Sequence, residues 1–361
     1  MQALFFQERL FKDKDVTDIL IFRSVIGHEM FTERLKELHL FRKVMLINEN
    51  AKKGKRFKKI FELLLVSCGH AERMSYIVDS ELINSDYDEV WYYNYCLWYY
   101  GIYDLINSKE NRQVKFVAFM ESIFTYTYLR NGEMSPPISL REKIIRIGRS
   151  LCGKWILYPY SENVYIQFPE MANSYSERII HTLPILTSKD RCFYNNVKHV
   201  FSVPVFRGLP KYIFMASSLE FDGFGNGETD LIIQIADIVG KENLIVKLHP
   251  RDNRCLLEKA GISIMDSSRV CWEAIQLGND FSQNVFLTVA SASIVNTILF
   301  SGEDLEAYYL FPLIIEMSDV FRTYCLDSVE NTINMAHHYG KAKNTKVVKS
   351  MDELYGYLQI H

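Results

Sequence analysis

The sequence lacks several features that would each have assigned it to a familiar class. It has no excess of basic residues, because 41 Lys and Arg side chains stand against 44 Asp and Glu, a formal net charge of −3. This balance offers no general attraction for a polyanion and argues against sequence-independent binding of nucleic acids. The seven scattered cysteines include no CxxC pair. Their arrangement argues against a zinc cage or a disulfide framework and is typical of a reducing compartment.

Long hydrophobic runs are also missing. No uninterrupted apolar stretch reaches the ~20 residues that span a bilayer, and the first residues show no basic segment followed by an apolar one. We therefore expect neither export nor a membrane anchor, and we predict a cytoplasmic protein. The aromatic block at residues 91–103 indicates either an interfacial surface or a strand end followed by a buried helix.

What the sequence does contain is enough apolar material for two domains. It has 361 residues, of which 48% are hydrophobic, and a domain typically takes ~150 residues. Short apolar runs alternate with amphipathic segments, which is the pattern of parallel strands covered by helices. We predict two Rossmann-like domains at residues 1–203 and 211–345, joined at the proline-containing residues 204–210, and a C-terminal helix at 346–361.

The predicted elements follow from the periodicity of the apolar residues. Strands are predicted at residues 18–22, 43–47, 88–93, 115–119, 163–168, 211–216, 243–248 and 285–289. Helices are predicted at residues 29–38, 56–66, 228–239 and 274–277. In this order the second half contains βα units whose strands end in polar residues, and open α/β sheets bind ligands at that edge.

The sharpest local signal is Lys-Leu-His-Pro-Arg-Asp at residues 247–252. Pro250 ends the strand, so His249 and Arg251 should lie just beyond the sheet edge. An imidazole can donate a hydrogen bond or a proton to a departing phosphate, and a guanidinium can neutralise its charge. We therefore name His249 as a candidate catalytic residue, and Lys247, Pro250 and Arg251 as candidate binding residues. The alternative is a strand-terminal histidine that caps neighbouring carbonyl groups.

A second signal is the hydroxyl-rich segment at residues 288–296, which follows another predicted strand. Ser291 and Ser293, together with free N–H groups at a helix start, can bind a phosphate. The alternative is an ordinary helix N-cap. We expect this segment and the His249 segment to lie side by side along one sheet edge. Between them in sequence, Glu273 either accepts hydrogen bonds from a ribose diol or complements a helix dipole as a solvated acid.

Three carboxylates are candidates for a general base. Asp222, which precedes a glycine-rich loop, is the first choice and Glu228 the second. Glu121 follows the predicted strand at residues 115–119. The alternatives are a turn aspartate and helix-start acids. Asp-Tyr-Asp at residues 86–88 precedes a strand instead of ending one, so we interpret it as a surface turn and predict no metal site.

The ordered set of these segments resembles the bacterial sialyltransferases of glycosyltransferase family 52. The segments that carry the resemblance are Tyr-Asp-Glu-Val at 87–90, Met-Glu-Ser at 120–122 with Tyr126 behind it, Val-Tyr-Ile-Gln-Phe-Pro-Glu at 164–170, Lys-Leu-His-Pro-Arg-Asp at 247–252 and Ser-Ala-Ser at 291–293. The acidic motif of the family reads Glu-Asp-Gly elsewhere, and its paired hydroxyl residues are split here by Ala292. The resemblance implies an α/β fold of the GT-B type, with two Rossmann-like domains facing each other across a cleft.

The resemblance also implies a chemistry. Members of the family act on surface glycans such as lipooligosaccharide or capsule, and the sialyl-transferring members use CMP-sialic acid with inversion and without a bound metal. In this sequence His249 would assist the departing CMP phosphate, which Ser291 and Ser293 would hold. Glu273 would match a contact to the cytidine ribose. Asp222, or Glu121 in the acidic motif, would take the proton from the acceptor hydroxyl.

We therefore predict an inverting, metal-independent sialyltransferase whose partners are CMP-sialic acid and a glycan acceptor. It would need no cofactor and would bind no nucleic acid. A peripheral position on the cytoplasmic face of the inner membrane and a homodimer are both compatible with this prediction. Two alternatives stay open. One is a transferase of the same fold that uses a hexose or Kdo nucleotide, and the other is a non-catalytic subunit that binds a glycan or a nucleotide.

Overall fold

The fold is taken from a computed structural model of the chain. It describes residues 1–11, 17–22, 27–47, 56–70, 87–92, 102–104, 106, 114–119, 123, 125–126, 140–154, 162–172, 178–187, 189–217, 219–249, 252, 255–266 and 270–360. Two compact units are present. The first consists of Gln2–Glu121 and Tyr128–Pro184, and the second of Met1, Ser122–Thr127 and Ile185–His361. The domain boundary expected at residues 204–210 stays a prediction.

Helices and strands alternate through both units. The described helices are α1 Gln2–Arg9, α2 His28–Glu37, α3 Arg56–Ser67, α4 Leu140–Leu151, α5 Arg191–Phe201, α6 Glu228–Val239, α7 Cys255–Lys259, α8 Trp272–Gly278, α9 Ala292–Ser301, α10 Asp319–Phe321, α11 Asp327–His338 and α12 Met351–Ile360. The described strands are β1 Asp18–Phe22, β2 Lys43–Ile47, β3 Glu89–Tyr92, β4 Lys115–Phe119, β5 Asn163–Ile166, β6 Ile179–Thr182, β7 Tyr212–Met215, β8 Leu244–Lys247, β9 Ser263–Ile264, β10 Val285–Thr288, β11 Glu306–Tyr309 and β12 Thr345–Val347.

The first unit is built on parallel strands. β1 pairs with β2, and β3 to β6 form a second sheet in sequential order. An ion pair fixes the start of the β1–β2 pair, because Arg42 donates to the Asp18 carboxylate at 2.9 Å and 2.5 Å. The Tyr87 hydroxyl donates to the same carboxylate at 2.7 Å. Burial alone would raise the pKa of Asp18, but these hydrogen bonds lower it below the ordinary value.

The second unit contains one parallel sheet of six strands in the order β9-β8-β7-β10-β11-β12. Numbered along the chain, this order is 3-2-1-4-5-6, which is the order of the dinucleotide-binding Rossmann fold. The sheet forms because its central strands are largely apolar and wholly buried: all four residues of β7 and all four of β10 are buried. Strands covered by helices on both faces require this composition.

The predicted α/β class, with parallel sheets in both halves of the chain, is confirmed. The predicted strands at residues 18–22, 43–47 and 115–119 are β1, β2 and β4 with the same bounds. Four strands were not predicted. β6 and β12 are short and mix polar with apolar residues, β9 has two residues, and β11 begins with Glu306.

Candidate functional site at the switch point of the second sheet

The order of the second sheet singles out one position for a ligand. From β7 the chain winds outward to β8 and β9, and it then returns through α8 to β10 on the other side of β7. The connections after β7 and after β10 therefore leave the sheet in opposite directions, and a crevice opens between their first residues. In open α/β sheets ligands bind in this crevice, at the carboxyl ends of the strands. The residues that follow β7 and β10 are thus the candidate site.

Hydroxyl groups and backbone amides tie these two connections together. The Ser217 side chain, two residues after β7, accepts a hydrogen bond from the Ala290 N–H at 2.8 Å. The Thr288 hydroxyl at the end of β10 donates to the Met215 carbonyl at 2.7 Å and accepts from the Ser291 N–H at 2.9 Å. Each connection is thereby held by the strand beside it. The first residues of the two connections are therefore joined by the protein's own hydrogen bonds.

The start of α9 offers its positive end to this crevice. Ser291 is the N-cap residue, and its hydroxyl oxygen accepts from the Ser293 N–H at 3.3 Å. The Tyr309 hydroxyl fixes the turn by donating to the Ser291 carbonyl at 2.9 Å. The first turn of α9 contains no acidic residue, so nothing in that turn neutralises the helix dipole. Such a helix start favours a negatively charged ligand group.

The start of α6, the helix that follows β7, is already capped by a side chain of the protein. Helix α6 begins after Gly227, which has no side chain to cap it and adopts a φ of 99°. The Glu220 carboxylate caps it instead, accepting from the N–H groups of Gly227 and Thr229 at 3.1 Å and 3.0 Å and from the Thr229 hydroxyl. An anion at the start of α6 would be repelled by the negative charge of the Glu220 carboxylate. Of these two helix starts, only that of α9 is suited to a phosphate.

The Lys247–Asp252 segment follows β8, on the other side of β7 from Ser291. Lys247 is buried at the end of β8, and its carbonyl accepts from the Ala216 N–H at 3.0 Å. His249 is partly exposed, and its carbonyl accepts from the Asp252 N–H at 2.8 Å. Pro250 and Arg251 lie outside the described residues.

The expectation that the His249 and Ser291 segments lie side by side was wrong. β7 separates β8 from β10, which puts the two segments about 10 Å apart at the usual strand spacing. The connection that follows β7, which contains Ser217, lies between them. The physical reason is the reversal of winding: the chain returns across β7 before it forms β10, so two strands that end in polar residues need not be neighbours.

Glu273 lies in the first turn of α8 and interacts with charges from other elements. Burial raises its pKa above the ordinary value, partly offset by its own backbone N–H, by the Lys247 charge and by a hydrogen bond from Asn296. Burial likewise lowers the pKa of Lys247, and the Glu273 charge partly offsets that change. The Asn296 side-chain oxygen accepts from the Ile123 N–H at 3.1 Å. Glu273 thus interacts with Lys247 at the end of β8 and with Asn296 in α9.

A thiol lies in the same surroundings. Cys271, the N-cap residue of α8, is free. Burial raises the pKa of its thiol to about 11, and the Glu273 charge adds to the effect. A thiol with this pKa stays protonated at neutral pH and is a poor nucleophile.

The candidate bases occupy different surroundings. Asp222 lies partly exposed in the turn before α6. Glu228, the first residue of α6, has no exposed surface, and its carboxylate accepts from the Ser217 N–H at 2.8 Å. Glu121 lies outside the described residues. Asp222 is therefore the more accessible of these two carboxylates, and Glu228 holds the backbone at Ser217.

Sequence reasoning missed two residues that define the crevice. Ser217 was overlooked, although it stands two residues after a buried strand, where the carboxyl-edge rule would have pointed to it. Glu220 was overlooked because its role depends on a cap that Gly227 cannot supply, and only the folded turn brings the two together.

Within the ranges that the structure describes, no group of three or more His, Cys, Asp or Glu side chains is arranged to hold a metal ion. Among the helices given above, none combines the length and the apolar character needed to cross a bilayer.

Comparison with known proteins gave structural similarities only. No family model matches the chain, and no curated protein matches its sequence. It is similar to the crystal structure of an α/β-galactoside α-2,3-sialyltransferase from the luminous marine bacterium Photobacterium phosphoreum, with 13% identity, 92% of this chain and 99% of that chain covered, and a TM-score of 0.47. It is also similar to the crystal structure of the glycotransferase of kitacinnamycin, with 9% identity, 95% and 89% of the two chains covered, and a TM-score of 0.46.

Proposed function

We propose that the chain is an inverting glycosyltransferase that moves sialic acid from CMP-sialic acid to a hydroxyl of a bacterial surface glycan. The observation that carries the nucleotide part of the proposal is the reversal of strand winding between β7 and β10, together with the acid-free start of α9 that follows β10. The sialyl part rests on the resemblance of the sequence to family 52, above all at residues 247–252 and 291–293.

The CMP phosphate binds at the start of α9 in this proposal. The N–H groups of the first turn and the hydroxyl groups of Ser291 and Ser293 supply donors, and the helix dipole supplies partial positive charge. Glu220 keeps the phosphate away from α6 because two negative charges would repel each other there. His249, on the far side of the connection that contains Ser217, contributes a hydrogen bond to the same phosphate in this proposal, and Arg251, which lies outside the described residues, is the sequence's candidate for a further positive charge.

The transfer then needs one bond to break and one to form. The bond between the anomeric carbon and the phosphate oxygen breaks, and both electrons leave with CMP. His249 stabilises the leaving phosphate by a hydrogen bond or a proton. The acceptor oxygen attacks the anomeric carbon from the opposite face while Asp222 takes its proton. The residues can meet these needs without a bound metal, because the leaving charge is stabilised by fixed donors.

Activity is tested directly with CMP-sialic acid and a galactose-terminated acceptor, by measuring CMP release and product. We expect turnover that persists in EDTA, and we expect His249→Ala and Asp222→Asn each to lower kcat by about a hundredfold or more. Ser291→Ala should weaken CMP binding by about tenfold, as for one lost hydrogen bond to a charge. Glu228→Gln is the matched control: it keeps an oxygen for the Ser217 N–H and should retain most turnover.

Nucleotide preference is tested by thermal unfolding with CMP, CDP and UDP. At equal ligand concentration, a ligand that binds only the folded state raises Tm more the more tightly it binds, so CMP should give the largest rise. A larger rise with UDP, together with turnover of a UDP-sugar, would overturn the donor assignment and support a hexosyltransferase. A chain that binds CMP but releases none from CMP-sialic acid would be a binding subunit, and the catalytic proposal would fail.

A further inference from the structure

The first unit carries an apolar surface formed by α3 and α4. Six side chains form it, and each is between 44% and 83% exposed: Phe61, Leu64, Leu140, Ile144, Ile147 and Leu151. On α4 their spacing is four, three and four residues, so they form one continuous stripe along the helix. Single exposed apolar residues are common, but a stripe of this length on a described helix marks a surface that meets something apolar.

The two helices contact each other at their carboxyl ends. Gly148 lies so close to α3 that an added Cβ would stand 2.7 Å from the Ser67 Cβ. The next residue, Arg149, donates to the Val66 carbonyl at 3.1 Å. Just beyond both helices, a Cβ on Gly69 would meet the Lys154 side chain. Because the contacts advance along both helices together, from Ser67 and Gly148 to Gly69 and Lys154, α3 and α4 run the same way.

This arrangement turns both exposed stripes toward the same side. At 100° per residue, the stripe of α4 lies about 70° from Gly148 in one rotational sense, and that of α3 lies about 90° from Ser67 in the opposite sense. For two helices that run in the same direction, opposite senses place the stripes on one common side. We call this surface the α3–α4 face.

Positive charge accompanies the apolar residues. Helix α3 has three basic residues and one acidic residue, and α4 has four basic residues and one acidic residue. Arg149 is engaged by Asp104, but Lys143 is exposed beside the α4 stripe and Lys154 is exposed just after the helix. In the sequence, six of the eight residues at 52–59 are Lys or Arg. The helices are therefore cationic, although the chain as a whole has a formal charge of −3.

We propose that the α3–α4 face docks on the surface of an anionic lipid bilayer. An amphipathic helix with aliphatic residues on one side and cations along its flank lies in the plane of a membrane interface, where the apolar side chains enter the acyl region and the cations meet anionic head groups. A second copy of the chain fits less well, because two cationic faces would then oppose each other. The proposal does not depend on the donor or on the reaction.

The test is flotation of the purified full-length chain with lipid vesicles. We expect binding to vesicles containing about 30% phosphatidylglycerol, much weaker binding to pure phosphatidylcholine, and a loss of binding when NaCl is raised from about 0.1 to 0.5 M. The variant Ile147→Gln/Leu151→Gln should bind the anionic vesicles at least about tenfold less well. Lys143→Glu should weaken binding to the anionic vesicles and leave binding to neutral ones unchanged.

A matched control separates the face from general surface hydrophobicity. Val205 and Leu256 are 58% and 60% exposed outside the α3–α4 face, so Val205→Gln/Leu256→Gln makes the same chemical change elsewhere and should bind like the wild type. Circular dichroism and Tm confirm that both double variants fold. Vesicle binding is measured without donor or acceptor, so this result is independent of the proposed function.

Three results would overturn the proposal. One is a wild-type chain that binds neither kind of vesicle. Another is an equal loss of vesicle binding in the two double variants. The third is a dimer, seen by sedimentation equilibrium without lipid, that Ile147→Gln/Leu151→Gln dissociates, because the face would then be covered by a second copy.

Discussion

At the scale of single residues, the first unit depends on one buried ion pair. Arg149 has no exposed surface and donates to both oxygens of Asp104 at 2.8 Å and 2.7 Å. Its third hydrogen bond reaches the Val66 carbonyl. The guanidinium therefore connects three segments, α3, α4 and the helical residues around Asp104. A buried charge is tolerated only when it is paired in this way.

Removing one partner of this pair should be costly. Asp104→Asn leaves the Arg149 charge buried without its counterion and should lower the free energy of unfolding by about 3–5 kcal/mol. Urea denaturation followed by circular dichroism measures it. The double variant Asp104→Leu/Arg149→Met removes both charges and should recover most of the loss. An Asp104→Asn protein as stable as the wild type would show that the pair contributes little.

Glu273 predicts a dependence of stability on pH. Burial raises its folded-state pKa above 4.5, so between 4.5 and that raised pKa the folded state binds more protons than the unfolded state. The free energy of unfolding contributed by this group therefore falls as pH rises through that window. Glu273→Gln cannot ionise and should gain stability relative to the wild type as pH rises from about 4 to 7.

Thermal unfolding at intervals across that range checks the prediction. The exposed Glu258→Gln serves as the control for the substitution itself. A difference between Glu273→Gln and wild type that stays constant, or that shrinks with rising pH, would contradict it.

At the scale of elements, helix α6 depends on a cap supplied by the turn before it, from Glu220, seven residues before Gly227. Glu220→Ala removes the acceptor for two N–H groups and one hydroxyl group, and should lower the free energy of unfolding by about 1–2 kcal/mol. Glu220→Gln keeps an oxygen and should lose less, since only the interaction with the helix dipole is given up. Hydrogen exchange of the first-turn amides of α6 reports the local effect. Equal exchange in Glu220→Ala and wild type would show that the cap is unimportant.

Elements with a strong pattern of their own could be predicted from the sequence. β1 and β2 are runs of apolar residues between polar ones, and α6 starts with acids and ends at Gly240. β11 was missed because Glu-Ala-Tyr-Tyr shows neither clean alternation nor an aliphatic run, and it becomes a strand through its pairing with β10.

The candidate site was only partly predictable for a related reason. The residues at strand ends could be named from the sequence, because proline, glycine and serine mark those ends. Which ends are adjacent depends on strand order, and the sequence does not encode strand order locally. The position of Ser217 between His249 and Ser291 therefore emerged only from the sheet.

At the scale of the whole molecule, the second unit is discontinuous in sequence. It includes Ser122–Thr127 as well as Ile185–His361. Ile123 and Tyr126 have no exposed surface, and the Ile123 N–H donates to Asn296 in α9. A short segment from the first half of the chain therefore completes the core of the unit that holds the candidate site.

A fragment starting at residue 185 should reveal this dependence. Without residues 122–127 it exposes the apolar surface that Ile123 and Tyr126 cover, and Asn296 loses a partner. We expect the fragment to unfold at a lower temperature than the full chain, or to aggregate. Differential scanning calorimetry of the fragment against the full chain provides the measurement. A fragment with the full chain's highest transition temperature would show that the segment is dispensable.

The discontinuity also sets an order of events during synthesis. Ile123 leaves the ribosome 173 residues before its partner Asn296, which at 5–20 residues per second is a delay of roughly 10 to 35 s. Throughout that interval the Ile123 N–H lacks its native acceptor, and the core around the segment is incomplete. The nascent chain must shield it by other means, and the second unit closes its core only when the last third of the chain has been translated.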